Sequence, residues 1–458
     1  MHFERGQDYQ RAVPYLYHAA ERALQKNAPQ EAILHLRNGL DLLARLPESL
    51  ERQLQELQFQ SRLGQPLILT VGYVAPMVVQ VYAQAQSLCR QLPVTPSSFP
   101  ARLGFWHVAV ARADLHTAQE VAIQLVMVAK ESADPESSAL AHYALGVSWY
   151  HRGDWRRVRE QIAQGLVTYD VQRDHAFALF TEDRGVASHC YLASALWGLG
   201  YPEQAMRQGE IALALAQKLA RPLSQGRALG YVIGVALFRR EWGQVRAGAA
   251  ALRALHSPHH VMLKMVSTLY HNAAVVAEEQ SEAGVEQMRQ AVSLYRSWGA
   301  ELLLPYFLAV VAEAHVTTKQ TAAGLEVVEE ALALAEKTGE QCYDAELWRL
   351  KGELLLTQES LEQGARSTEQ KTKSQEQRVR SKEQKSENPN PKSQSPNPAS
   401  EAEACFLTSI DIARQQHAKS WELRAVMSLV RLRQLQASRQ GAGSTEQGAG
   451  STEHGAGS

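Results

Sequence analysis

The sequence is short of cysteine, and the four it has, Cys89, Cys190, Cys342 and Cys405, lie far apart with no C-x-x-C pair. That spacing excludes a disulfide framework and the usual structural zinc sites, and it points to a reducing, cytoplasmic setting. Long apolar runs are missing too. The longest, Leu302 to Ala312, contains Pro305 and stops at Glu313, too short for a bilayer span, so no membrane partner is expected. The opening M-H-F-E-R-G has no apolar signal-peptide core. Excess charge is also lacking: 47 Lys and Arg face 48 Asp and Glu. The balance gives no basic footprint for nucleic acid and no polybasic membrane anchor. There is no Gly-Lys pair, hence no phosphate-binding G-x-x-x-x-G-K-S/T loop, and no H-E-x-x-H. No nucleophile, base and orienting group fall into a recognisable pattern. The chain reads as a non-enzyme without cofactor or metal.

What the sequence has is a period. The segment Ala139 to Asp170 reads as two amphipathic helices joined at Gly153-Asp154. Leu145, Gly146 and Trp149 share a face of the first, and Val158, Ile162, Gly165 and Leu166 form one stripe on the second. Glycine relaxes the turn and aspartate caps the next helix. The first core residue of each second helix recurs at Val78, Ala118, Val158, Ala205, Val245, Gly284 and Gly324, in steps of 40, 40, 47, 40, 39 and 40. Two helices per unit of this length predict an all-α fold, a right-handed α-solenoid of ~40-residue helix-turn-helix repeats similar to tetratricopeptide (TPR) units. Ala12 and Ala32 mark two more such helices on a shorter rhythm, and Pro66, Pro76, Pro93, Pro96 and Pro100 are expected to break the next stretch into shorter helices.

The period then fails once. Glu346 to Leu356 reads as a first helix, but its partner, marked by Ala402, stands 78 residues after Gly324. Between them lie three seven-residue units from Arg366 to Ser386 and a run rich in Asn-Pro and Ser-Pro. Val379 alone is apolar at a coiled-coil core position, so a coiled coil is rejected and disorder expected. The Gly-Ala-Gly-Ser tail has the same seven-residue period. The expected organisation is N-terminal repeats over 1–60, truncated at the start, and a superhelical array over 61–357. A disordered insertion over 358–400, last repeat helices over 401–437 and a disordered tail over 438–458 follow.

Candidate chemistry is thin. His256, His259 and His260 cluster but lack an identifiable fourth metal ligand. Cys190 and His189 are adjacent on a helix and point about 100° apart, so Cys190 reads as buried and structural. Glu278-Glu279 and Glu329-Glu330 read as solvated faces, and Arg156-Arg157 and Arg239-Arg240 as helix ends.

The Ala139–Asp170 unit resembles a long tetratricopeptide repeat through Leu145, Gly146, Trp149, Gly153-Asp154-Trp155 and Leu166, departing at Val158 and Gly165, where that family favours alanine. The stretches His2 to Leu24, Glu31 to Leu43, Gly299 to Ala309 and Lys337 to Leu356 resemble the repeat region of bacterial AAA/signal-transduction ATPases fused to adenylate or guanylate cyclase or protein kinase domains. The resemblance implies a regulatory, partner-docking role and brings no catalytic residue. In related solenoids the first helices line the concave surface; by register, Tyr143, Tyr150, His151, Trp197, Arg227, Tyr306 and Glu313 are the candidate binding residues. The expected partner is a protein or peptide, such as a neighbouring ATPase, cyclase or kinase. The alternatives are a small-molecule effector arm gating an enzyme domain, and a non-functional gene fragment.

Overall fold

A computed structural model of the chain describes residues 9–26, 28–71, 75–170, 183–255, 261–380 and 398–449. Among these, 19 α-helices and one 3-10 turn, Pro96–Ser98, occur with no strand. In chain order they are α1 Tyr9–Gln25, α2 Pro29–Leu43, α3 Leu50–Val71, α4 Pro76–Gln91, α5 Phe99–Ala111, α6 Leu115–Ser132, α7 Pro135–Arg152, α8 Trp155–Leu166, α9 Arg184–Gly198 and α10 Pro202–Leu219. Then come α11 Pro222–Phe238, α12 Trp242–Ala254, α13 Val261–Glu279, α14 Glu282–Ser297, α15 Leu304–Thr318, α16 Thr321–Thr338, α17 Asp344–Arg380, α18 Pro398–Gln415 and α19 Lys419–Ala449. The fold is an α-solenoid of TPR-like helix pairs.

Each pair forms for the reasons its sequence suggests. Gly153 (φ 74°) ends α7 in the left-handed conformation, and the Asp154 carboxylate accepts the Arg157 N–H at 3.1 Å to cap α8. The left-handed residue returns one repeat away each time, at Ala113, Gly153, Gly200, Arg240, Gln280 and Lys319. Only two of these are glycine. Small residues let the paired helices cross closely: a Cβ at Gly165 would stand 3.1 Å from the Ala139 carbonyl oxygen, and one at Gly146 2.7 Å from Ile162. The marker residues Val78, Ala118, Val158, Ala205 and Val245 are all buried near the start of their helices.

The chain divides into two compact units: 1–307 with 333–342, and 308–332 with 343–458. In the first, α1, α2 and α3 share a core of Ala12, Val13, Leu36, Phe59 and Leu63. Pro66 lies inside α3 and does not break it, contrary to expectation. The helix is held on both sides of the proline by buried Leu63, Leu67 and Ile68, which outweigh the lost backbone bond. Residues 60 and 61 lie within this same helix.

In the second unit the interrupted hairpin closes: Leu356 of α17 packs with Ala402, Phe406 and Ile410 of α18 and Leu429 of α19. Where disorder is expected from residue 358, α17 runs on as helix to Arg380, and α19 runs through the start of the expected tail to Ala449. The first extension is rich in Glu, Gln, Lys and Arg, good helix formers with no proline. Propagation from an already packed turn costs far less than nucleation. The remaining parts of those two expectations, 381–397 and 450–458, lie outside the described residues, as do His256, His259 and His260.

Candidate functional site

The first helices of the first unit carry one tyrosine per repeat on a common wall: Tyr150 on α7, Tyr191 on α9, Tyr231 on α11, Tyr270 on α13 and Tyr306 at the start of α15. The rings meet edge to face, Tyr150 with Tyr191 at 5.0 Å between centroids and Tyr191 with Tyr231 at 5.7 Å. The Tyr270 and Tyr306 hydroxyls lie 2.8 Å apart, and Tyr270 also approaches the Gly230 carbonyl oxygen at 3.4 Å. Tyr143 joins through Trp106 and Tyr191. Such pairs add roughly 0.5–1.5 kcal/mol each beyond the area they bury.

Burial sets the protonation of this wall. It pushes Tyr270 up to about 12 and raises Tyr231 and Tyr306 well above the ordinary phenol, so all three stay neutral hydroxyls. His107 on α5 is driven down to about 3, first by burial and then by the Arg227 and Arg62 cations. Yet His107, Tyr143, Arg227 and Tyr231 are only half-buried by accessible surface. Arg227 Nη1 donates to the Tyr191 hydroxyl at 3.3 Å, with the guanidinium 5.8 Å from that ring.

The expected residues fall in several places. Tyr143, Tyr150, Arg227 and Tyr306 meet on this wall, but Tyr150 and Tyr306 are almost wholly buried packing residues. Trp197 is also buried, against Phe238, which in turn touches Tyr306. His151 belongs to a closure with the 339–342 segment. The N–H groups of Gln341 and Cys342 donate to its carbonyl oxygen (2.7 and 3.2 Å), and its Nδ1 lies 3.3 Å from Glu340 Oε1. Glu340 Oε2 accepts the Leu303 N–H at 2.9 Å, and both side chains are out of solvent. Glu313 is in the second unit, ion-paired with Arg424 at 3.0 Å.

Tyr191, Tyr231 and Tyr270 were not among the expected residues, although each stands 39 to 41 positions after the preceding tyrosine of the ladder.

The other candidate chemistry resolves into structure. Cys190 is fully buried, and Arg239 pairs with Glu203 and Glu241 at a turn. Arg157 stacks over Trp149 at 4.2 Å, and Glu278 pairs with Arg246. Among the described residues no group of three or more His, Cys, Asp or Glu is placed to hold a metal, and no helix is long and apolar enough to cross a membrane.

The repeat geometry has solved counterparts. A Rap protein complexed with competence and sporulation factor aligns over 94% of this chain and 99% of its own, with a TM-score of 0.53 and 13% identity. A signal-transduction ATPase with a tetratricopeptide-repeat sensor from Pyrococcus horikoshii aligns over 94% of this chain and 73% of its own, with a TM-score of 0.38 and 10% identity. An uncharacterized protein of Rhizobium meliloti is 24% identical over 355 residues, 76% of this chain but 34% of that protein, so the chain spans about a third of its relative's length. No protein-family profile matches the chain. The fold is that of TPR-like helical repeat proteins.

Proposed function

We propose that the chain is a non-catalytic, TPR-like scaffold whose first unit takes an extended segment of a protein partner along the tyrosine wall. We further propose that it serves as the sensing or docking arm of a larger signalling ATPase or nucleotide cyclase. The observation that carries this reading is the ladder itself. Five tyrosines recur on successive first helices; four of them are buried and hold the helices together, while Tyr231, with Tyr143, Arg227 and His107, keeps a solvent-accessible face. Aromatic and arginine side chains are the usual anchors of binding surfaces. The Rap protein, whose fold this chain shares, is seen with a bound factor, and an extended occupant suits a wall built from repeats. The much longer Rhizobium meliloti relative fits an arm within a larger protein.

The test is peptide display on the purified full chain, with selected peptides then measured by fluorescence anisotropy on the wild type and on Tyr231→Ala. Selected peptides that lose at least roughly tenfold in affinity on the variant are expected. Failure to select any peptide, or equal binding by the variant, overturns the reading; a bound metabolite released on denaturation, without peptide binding, favours the small-effector alternative.

A further inference from the structure

We propose that the outward stripe of α19, in the second unit, seats an amphipathic helix of a partner polypeptide whose flanks are acidic. This interface is separate from the tyrosine wall and goes beyond the reading above.

α19 is apolar on two opposite faces. Ala425, Leu429 and Leu432 are buried in the core shared with α17 and α18. Leu423, Met427 and Val430, at i, i+4 and i+7, lie about half a turn round the helix from them and remain 61%, 49% and 47% exposed. A lone exposed leucine is ordinary, but three large apolar residues on one stripe, opposite a buried stripe, mark a contact surface. A helix apolar on both sides is suited to an inner place in a stack.

The preceding first helix, α17, shows what an inner place looks like. Its Leu347, Leu350 and Leu354 are all buried. A Cβ at Gly324 of α16 would stand 2.5 Å from Leu354, and one at Gly352 of α17 would stand 2.5 Å from Phe406 of α18. A second helix therefore clamps α17 on either side. α19 packs on α17 and α18 with one face and turns its other apolar face to solvent. The stacking seam of the array continues onto Leu423, Met427 and Val430, and a further helix of the second type is the occupant that repeats it.

Charge gives that occupant its chemistry. Between Lys419 and Gln440, α19 carries five basic residues and one acidic, Glu422. Lys419, Arg431 and Arg433 each meet a carboxylate of their own unit, yet their side chains stay more than half exposed. Two seams already formed in this unit join an acid of a second helix to a cation of the next first helix. Glu329 of α16 meets Lys351 of α17 at 3.4 Å, and Glu403 of α18 meets Arg433 of α19 at 3.0 Å. An acidic helix continues that pattern, whereas a second copy of α19 would set like charge against like. α16 has the required form: Gly324, Val328, Ala331 and Ala335 recur on its buried side, and four glutamates stand against one lysine.

The probe is a fluorescently labelled synthetic peptide of residues 320–338, the α16 sequence, titrated with the purified full chain by fluorescence anisotropy. Binding is expected, and Met427→Glu or Leu423→Glu in the chain should weaken it roughly tenfold or more. Both positions are exposed, so either variant should keep the wild-type melting temperature. Met127→Glu on α6, at an exposed methionine of the first unit, should leave binding unchanged. A peptide with Glu326→Gln and Glu329→Gln should bind roughly threefold less tightly or worse, and should respond less to added salt. No binding of the probe, or equal binding by wild type and Met427→Glu, would overturn the proposal. Self-association in analytical ultracentrifugation that Met427→Glu abolishes would overturn it in favour of a second copy. Recruitment to phosphatidylserine vesicles that the same change abolishes would overturn it in favour of a lipid surface. All of these outcomes are read at α19 and leave the tyrosine-wall reading standing.

Discussion

The two units fill the same repeat geometry with opposite chemistry. In the first, the wall between first helices is a ladder of neutral phenols, mostly buried, with Tyr231 half-exposed. In the second, the corresponding space is occupied by charge. Arg349 on α17 forks onto Glu346 at 2.7 and 2.8 Å and reaches Glu353 at 3.2 Å, while Arg424 on α19 pairs with Glu346 at 2.8 Å and with Glu313 of α15 at 3.0 Å. Burial opposes the Arg349 charge, but Glu346, Glu313 and Glu353 outweigh it and hold the guanidinium above its ordinary value. Ser428 donates to Glu353 at 2.6 Å and Arg431 lies 3.4 Å from it. Phenols can pack against each other and still present a hydroxyl to a guest. Buried ions must satisfy one another, so a network of this sort closes its space.

Breaking the network should produce the largest effect. Arg349→Met takes from the buried Glu346 its two-pronged partner, leaving Arg424 alone to offset it, and should cost about 3 kcal/mol, read as a fall in denaturation midpoint. A combined Glu313→Leu, Glu346→Leu, Arg349→Met and Arg424→Met variant, which removes two charges of each sign and leaves Glu353 to Arg431, should recover a good part of that loss. No recovery would mean that the ions contribute more than mutual neutralisation.

On the phenol side the contrast appears as a pH dependence. His107 binds its proton at about 3 in the folded chain against 6.5 for the ordinary imidazole. Between those values the unfolded chain holds the extra proton, so stability falls as pH drops from about 6.5 toward 3 and is fully present above that window. His107→Gln should flatten this limb in chemical denaturation measured across pH.

A smaller effect separates two members of the ladder. Tyr270→Phe removes a hydroxyl bonded near Tyr306 and Gly230 and should cost about 0.5–1.5 kcal/mol. Tyr231→Phe should be close to neutral for folding, since its hydroxyl bonds nothing within the described residues. The smallest effect tests the turns common to the array. Gln280 and Lys319 hold φ of 54° and 59°, where glycine pays no steric cost. Gln280→Gly should raise stability by up to about 1 kcal/mol, and Gly153→Ala, at the equivalent position, should lower it by a similar amount.

What the sequence discloses follows these physical lines. The array was legible because each second helix needs a small or branched apolar residue about 40 positions after the last, and Val158, Ala205 and Val245 meet that need. The insertion was legible as an interruption, since Ala402 had to return to Leu356 for either stripe to be buried. The seven-residue units were weighed for a coiled-coil seam, which Val379 alone cannot make, whereas continuation of α17 to Arg380 needs only good helix formers. Tyr143, Tyr150, Arg227 and Tyr306 were chosen by type and register, and the structure places them on the tyrosine ladder. Tyr191, Tyr231 and Tyr270 were visible in the same spacing, but a phenol also packs like any apolar ring. Glu313 was misplaced for a different reason: its partners, Arg349 and Arg424, are 36 and 111 positions away, and no local pattern links them.

The joining of His151 to Glu340 bridges 189 positions in a chain whose helices otherwise pair mostly with near neighbours. Short-range pairings assemble quickly, while a distant one must wait for everything between to be in place. This contact is expected to form after the rate-limiting step. Its loss through Glu340→Ala should speed unfolding and leave refolding at its former pace. One side-chain contact thus acts as a brake on the dismantling of a structure it did nothing to start.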